Sequence, residues 1–197
     1  MNNNSHEMDT NLYGIVVNLD MLASDYVNSN DPCDFEDYIM KNPQNINREI
    51  RFNGWRGTPL NVALRAVRDN IPFIESLLES GANVDYYDSD NLTPLMRAFK
   101  IEEFNLLVKH GANINSTNIY GYTALHIFAS YGRYDLIREM RIFRVIHNPK
   151  TDKGRIPFDD ISERINQGEW DEKNNDIIDY LRDGKYLIFN TKRAIKK

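Results

Sequence analysis

Residues 120–137 read YGYTALHIFASYGRYDLI and place one histidine, two alcohols and four tyrosines within eighteen positions. Such a set invites a nucleophilic reading, in which an imidazole takes a proton from a hydroxyl while an acid orients the ring. Asp135 is the acid of this stretch, and Thr123 and Ser130 are its alcohols. No nucleophile here pairs with both His126 and Asp135, so a hydrolytic constellation is not indicated.

The other residues with reactive side chains lead the same way. Cys33 is the one cysteine, so an intramolecular disulfide is excluded. No Cys–His signature surrounds it, and a half-buried place in a terminal cap is the expectation. The acid pairs Glu102–Glu103 and Asp159–Asp160 are adjacent and therefore face different directions on a helix. They are expected to be solvated or favoured by a helix dipole, Asp159 and Asp160 lying in a first turn. His6, His110, His126 and His147 are scattered without metal-ligand spacing. Neither a phosphate-binding loop nor a dinucleotide fingerprint is present. The sequence thus points to a non-enzyme with no catalytic residue, no metal and no cofactor.

Charge narrows the partners. The chain of 197 residues carries a net charge of −5, with nine acids in residues 1–50 against Lys41 and Arg48. An acidic body argues against general nucleic-acid binding, which requires phosphate neutralisation over a broad surface. The last thirteen residues reverse the sign with Lys185, Lys192, Arg193, Lys196 and Lys197, and a solvated basic tail is expected there. The opening MNNNSHEMDT lacks the basic start and apolar run of a secretory signal. No apolar stretch approaches the ~20 residues of a membrane span. A cytoplasmic protein is expected, or one of a host's cytoplasm if it is delivered there.

The elements that position these residues recur. LLESGANVD (77–85) matches LLVKHGANIN (106–115), and each follows a turn-then-helix opening, GTPLNVALRA (57–66) and LTPLMRAFK (92–100). Further openings stand at YTALHIFAS (122–130) and, more weakly, RIPFDDI (155–161). They recur at Thr58, Thr93, Thr123 and Ile156, spacings of 35, 30 and 33 residues. A period of this size marks a repeat architecture. The three threonines sit at helix N-caps, able to accept an amide of the first turn. Pro59, Pro94 and Pro157 fall at the first helical position. Leu60, Ala63 and Ala66 share one helix face, and Ile74, Leu77 and Leu78 share another. Asn70 is placed to start a second helix ahead of Ile71-Pro72. Gly81 and Gly111 end second helices in the left-handed conformation.

On these residues the chain resembles the ankyrin-repeat family over residues 48–184, most closely over 57–137. The resemblance implies an all-α fold: an ankyrin-repeat solenoid of stacked helix-turn-helix units with β-turn fingers and divergent terminal caps. A helical N-terminal cap would span 1–47, with helices over 12–27 and 33–42. Three repeats follow at 48–85, 86–115 and 116–148, then a C-terminal cap repeat at 149–184 and the tail at 185–197. Repeat two lacks about three residues between its helices, so its first helix or turn should be short. In repeat three Arg144 stands where the exit glycine belongs. Thr123 and His126 take the T-x-x-H positions of the family's box, where the imidazole would bond the threonine and a neighbouring finger's backbone.

Stacking consumes the consensus positions and leaves fingers and first helices for partners. The candidate partner-binding residues are therefore Arg51, Phe52, Trp55, Arg56, Arg65, Tyr86, Tyr87, Asp90, Arg97, Lys100, Tyr120, Tyr122, Lys153 and Arg155. Tyr, Trp and Arg dominate interface hot spots, although finger aromatics also cover one another. NREIRFNGWRG (47–57) is longer than the usual link and suggests an extended first finger reaching over a partner; a packed irregular loop is the alternative. The expected function is a non-catalytic protein-binding module, monomeric when free, taking no small-molecule substrate and docking on no membrane. A stoichiometric inhibitor such as an immunity protein is one form of it; a host-directed viral or bacterial adaptor is another. An enzyme site shared by Cys33, Asp34 or Glu36 with repeat one is the remaining class.

Overall fold

The computed structural model describes residues 9–10, 16–28, 33–66, 70–143, 145–146 and 148–183. The chain divides into two compact units, residues 1–113 and 114–197. The expectations for His6, Arg144, His147 and the basic tail fall outside the described residues.

In the first unit a short antiparallel ladder pairs β1 (Asp9–Thr10) with β2 (Val16–Val17). α1 (Leu19–Asn28) then begins later than the helix expected over 12–27. Val16 and Val17 are β-branched and favour extended backbone. The Asn18 carboxamide accepts the Asp20 amide at 3.0 Å and starts the helix there. α2 (Cys33–Lys41) follows, then strands β3 (Ile50–Phe52) and β4 (Trp55–Gly57), and the helices α3 (Pro59–Arg65), α4 (Ile71–Glu79), α5 (Pro94–Arg97) and α6 (Ile101–Lys109). α1 packs on β3 and α3, α2 on α4, and α3 on α5. Tyr26, Phe35 and Phe73, one each from α1, α2 and α4, meet with ring centroids 4.9–6.0 Å apart. Phe35 is 1% exposed, and burial of such a side chain contributes about 1.5–3 kcal/mol.

Helix α5 is four residues long against seven in α3, the shortening that repeat two's missing residues require. The exits at Gly81 (φ +86°) and Gly111 (φ +90°) are alike. In each, the amide after the glycine returns to a carbonyl five residues earlier, Ala82 to Leu77 and Ala112 to Leu107.

The caps depart from expectation in a consistent way. Of the three box threonines, Thr93 accepts an amide on its hydroxyl, that of Met96 at 3.3 Å. At Thr58 the hydroxyl donates instead to Asn61 Oδ1 (2.7 Å), which also accepts the Thr58 amide (3.1 Å). A polar acceptor three residues on reverses the direction of the bond. Asn70 occupies the cap position of α4 but sends its carboxamide N–H groups to the Ala63 carbonyl (2.7 Å) and the Tyr26 hydroxyl (3.1 Å). It ties α3 to α1 rather than capping its own helix. Glu103, expected in solvent or at a helix dipole, takes the second place: it is 5% exposed in the first turn of α6 and accepts the amides of Phe99 (2.7 Å) and Lys100 (3.2 Å).

The second unit contains α7 (Ala124–Ser130), α8 (Tyr134–Met140), α9 (Pro157–Asn166) and α10 (Asn175–Asp183). Its core gathers Leu125, Phe128, Leu136, Ile137, Met140, Ile161, Ile177 and Leu181, all fully buried. α7 packs on both α8 and α9. The insertion before α10 is anchored by Trp170, whose indole N–H donates to Asn175 Oδ1 (3.1 Å) and whose ring meets Tyr134 edge-on at 5.3 Å.

Candidate interaction surface

In the second unit, the geometry at His126 answers the nucleophilic reading. The Thr123 amide donates to His126 Nδ1 at 3.2 Å, and the Thr123 hydroxyl lies 3.0 Å from the same nitrogen. An amide can only donate, so Nδ1 is the acceptor and Nε2 carries the proton, which goes to the Arg155 carbonyl at 3.3 Å. The ring is fully buried, and burial holds its pKa below the usual histidine range. Both nitrogens join the box of one repeat to the finger of the next, leaving no lone pair for a substrate.

Each finger is a turn closed by one side chain. In the first unit Asp88 Oδ1 accepts the amides of Asp90 (2.9 Å) and Leu92 (3.1 Å). In the second, Asn118 Oδ1 accepts those of Tyr120 (3.0 Å) and Tyr122 (2.9 Å), and Thr151 Oγ1 accepts that of Arg155 (3.1 Å). These anchors were not among the candidate residues. Their signal was a polar side chain five positions ahead of each box, at 88, 118 and 151 before 93, 123 and 156.

The segment 47–57 forms a hairpin with register Ile50↔Gly57, Arg51↔Arg56 and Phe52↔Trp55. Its two-residue turn is Asn53-Gly54 with φ of +50° and +78°, the pairing a type I′ turn demands. Both outer edges are covered. The Arg51 amide donates to Asp20 Oδ1 (2.9 Å), the Arg56 amide to Ser89 Oγ (3.1 Å), and the Ser89 amide to the Arg56 carbonyl (3.0 Å). These contacts hinder another chain from extending this hairpin.

Trp55 corrects the idea of a finger tip that reaches over a partner: it is 5% exposed. Its ring packs beside Phe52 at 5.2 Å and under the guanidinium groups of Arg65 (5.2 Å) and Arg97 (5.8 Å). Gly57 leaves the space, since a Cβ there would press on the indole and lie 2.8 Å from Asn61 Cβ. Arg97 is itself held by the carboxylates of Asp88 and Asp90, and Arg65 reaches Asp90 at 3.5 Å. Trp55, Arg65, Arg97 and Asp90 are thus one packed network. Asp90, Arg51, Arg56 and Tyr87 are the exposed candidates of this face, while Phe52, Tyr86 and Lys100 are half-buried. Glu49 lies between them. Its Oε2 accepts the Tyr86 hydroxyl (2.8 Å), its Oε1 accepts Arg51 Nε (2.8 Å), and Arg56 stands 3.6 Å away. These donors, Tyr86 first, hold the Glu49 carboxyl below its ordinary pKa.

In the second unit Ile119, Tyr120 and Lys153 are exposed at the finger tips, where the Asp152 amide donates to the Tyr120 carbonyl (3.1 Å). Tyr122 is half-buried against His126, ring centroids 5.3 Å apart. Arg155 is occupied by Glu163 (2.7 Å) and Asp160, and these two carboxylates push its pKa upward. Asp160 is 5% exposed in the first turn of α9, so of its two expected places it takes the one at the helix dipole and not the solvated one. A cleft of about 540 Å³ opens elsewhere on this unit, lined by Gly132, Tyr134, Arg138, Trp170, Lys173 and Asn174. Its arginine is committed to Asp176, with contacts of 2.9 and 3.1 Å. Among the described residues no group of three or more His, Cys, Asp or Glu is placed to hold a metal ion. Among them, too, no helix is long and apolar enough to cross a membrane.

Comparison with known proteins agrees with this geometry. A family model of ankyrin repeats in three copies matches residues 64–144. An ankyrin repeat protein of Rickettsia felis is 28% identical over 128 residues, covering 60% of this chain and 56% of the relative. An ankyrin repeat protein of variola virus is 30% identical over 90 residues, 43% of this chain and 16% of the viral protein. The chain therefore spans about half of the first relative's length and a sixth of the second's. Residues 64–144 thus carry ankyrin repeats, and such repeats imply a protein–protein interaction module.

Proposed function

We infer that this chain is a non-catalytic module that binds a protein partner through its fingers and the adjoining first helices, acting by occupying the partner's surface. The observation that carries this reading is the division of labour in the fingers. Asp88, Asn118 and Thr151 hold the turns from within, while Tyr87, Ile119, Tyr120 and Lys153 are exposed. Apolar and aromatic groups held outward on a rigid turn cost little entropy when a partner covers them. A stoichiometric inhibitor such as an immunity protein fits a module of this kind. The relatives from Rickettsia felis and variola virus favour a second reading, an adaptor acting on a host protein.

The test is site-specific photo-crosslinking, with benzoylphenylalanine placed at Tyr87 or Tyr120 and, as controls, at the exposed Gln44 and Lys109. A one-to-one adduct with one protein, formed from the finger positions alone, is the expected result. Adducts from the control positions alone, or none from any position, would overturn the reading.

A further inference from the structure

We propose that the outward face of the β3–β4 hairpin, carrying Arg51 and Arg56, docks an acidic peptide segment of the protein partner, through two of its carboxylates. The proposal rests on the reading above and adds the partner's chemistry at one place.

Three observations carry it. First, Arg51 and Arg56 are directly opposed across the ladder on the solvent face, while Ile50, Trp55 and Gly57 turn inward. Their amides point away from each other, to Asp20 and Ser89, which identifies a non-hydrogen-bonded pair. In such a pair the Cα atoms are about 4.5 Å apart and the side chains are at their closest. Like charges directly opposite weaken a hairpin, so folding gains nothing from a second arginine here. Second, the pair is under-neutralised. Glu49 gives one oxygen to Arg51 and the other to Tyr86, and its approach to Arg56 is only 3.6 Å. The two arginine side chains remain 67% and 55% exposed. Third, the mount is rigid: both strand edges are covered and the inner face is closed by Trp55.

Two guanidinium groups on a fixed ribbon suit two carboxylates: Arg51 keeps its outer Nη edge for one while its Nε and Nη2 hold Glu49 Oε1, and Arg56 offers its fork to the other. Carboxylates two residues apart in an extended segment lie about 7 Å from each other, within the span of two arginines. A nucleic acid would need phosphate neutralisation over a much longer stretch, against a chain of net charge −5.

The test measures binding of a fluorescein-labelled octaglutamate peptide by anisotropy at low salt. The proteins are wild type, R51T/R56T, and K41Q/K109Q, which loses the same charge from exposed lysines of the same unit. The expected result is a loss of about tenfold or more in R51T/R56T alone, with a melting temperature at or above wild type. Equal affinity for wild type and R51T/R56T, or an equal loss in both variants, overturns the proposal. So does an oligothymidylate that binds as well with the same dependence on the two arginines. Crosslinking from Tyr87 and Tyr120 is read independently, so this proposal fails without that reading if finger adducts persist while the peptide ignores the arginines.

Discussion

In the first unit two guanidinium groups, Arg51 and Arg56, share the carboxylate of Glu49; in the second, one guanidinium, Arg155, is held by two carboxylates, Asp160 and Glu163. Both clusters sit at the mouth of a repeat, and both look alike in the sequence as basic finger residues. They differ in what the fold itself uses. Arg155 compensates a buried acid, and its backbone takes the proton of a buried imidazole. Arg51 and Arg56 compensate nothing buried. A charged residue whose loss strands a buried partner belongs to the fold, whereas one left over after the fold's needs are met is available to something else.

The largest effect expected from this contrast lies beneath the hairpin. Trp55→Ala should destabilise the first unit by about 3–5 kcal/mol, the range for truncating a buried aromatic. It removes the ring that fills the space over Gly57 and supports Arg65 and Arg97. Urea denaturation followed by circular dichroism measures it, and Trp170 fluorescence reports the second unit separately. A loss under 1 kcal/mol would mean that Trp55 is a surface residue after all.

Next comes Arg155→Met, with an expected cost of about 3 kcal/mol because Asp160 is left charged and buried without its partner. Adding Asp160→Asn should recover most of that loss, since the amide carries no charge to strand. Failure of the second change to rescue the first would show that Arg155 acts through packing alone.

Much of this was legible before any coordinates. The 35-, 30- and 33-residue spacings, the glycine exits and the short α5 follow from turn chemistry and helix periodicity, which are local properties. The paired roles of Thr123 and His126 were legible too, because a fixed offset of three within a helix start determines the contact. What the sequence did not show depends on contacts distant along the chain. Asn70 looks like a cap until its carboxamide N–H groups are found turned to Ala63 and to Tyr26, forty-four residues away. Trp55 looks like a finger tip until the hairpin turns it inward over Gly57. Glu49 escaped notice because its meaning comes from Tyr86, thirty-seven residues on.

A third effect is one of pH. Burial keeps His126 neutral in the folded second unit, while the unfolded imidazole takes up its proton near pH 6.5. Below that pH the unfolded chain binds the extra proton, so stability falls as pH falls, by up to about 1.4 kcal/mol per unit for one group. Asp160 works in the opposite sense. Burial raises its pKa against the pull of Arg155, so its contribution is present at low pH and is lost as pH rises through the folded value. Arg155, Asp159 and Asp160 are the charged groups that act on the imidazole. Comparing the urea midpoints of wild type and His126→Gln between pH 8 and 5 isolates the histidine. A wild-type profile parallel to that of the variant would mean that the ring takes up its proton as readily in the folded state as in the unfolded one.

The smallest effect bears most directly on the contrast. Glu49 is the fold's own occupant of the arginine pair, an intramolecular carboxylate competing with any that arrives from outside. Glu49→Gln keeps an oxygen acceptor for the Tyr86 hydroxyl while removing the charge that holds Arg51. The cost in stability should be about 0.5 kcal/mol or less, because the arginine of the pair is largely exposed and the half-buried acid keeps its Tyr86 partner. Affinity for the acidic peptide should rise by a similar free energy, roughly twofold, instead of falling. The same substitution logic gives the opposite sign at the other cluster. Asp160→Asn should free Arg155 without creating a peptide site, because that guanidinium stays 31% exposed beside Glu163 and its carbonyl remains bound to His126. Tighter peptide binding in Glu49→Gln but not in Asp160→Asn would place the spare charge on the hairpin. Weaker binding in Glu49→Gln would make Glu49 an organiser of the arginine pair and not its competitor.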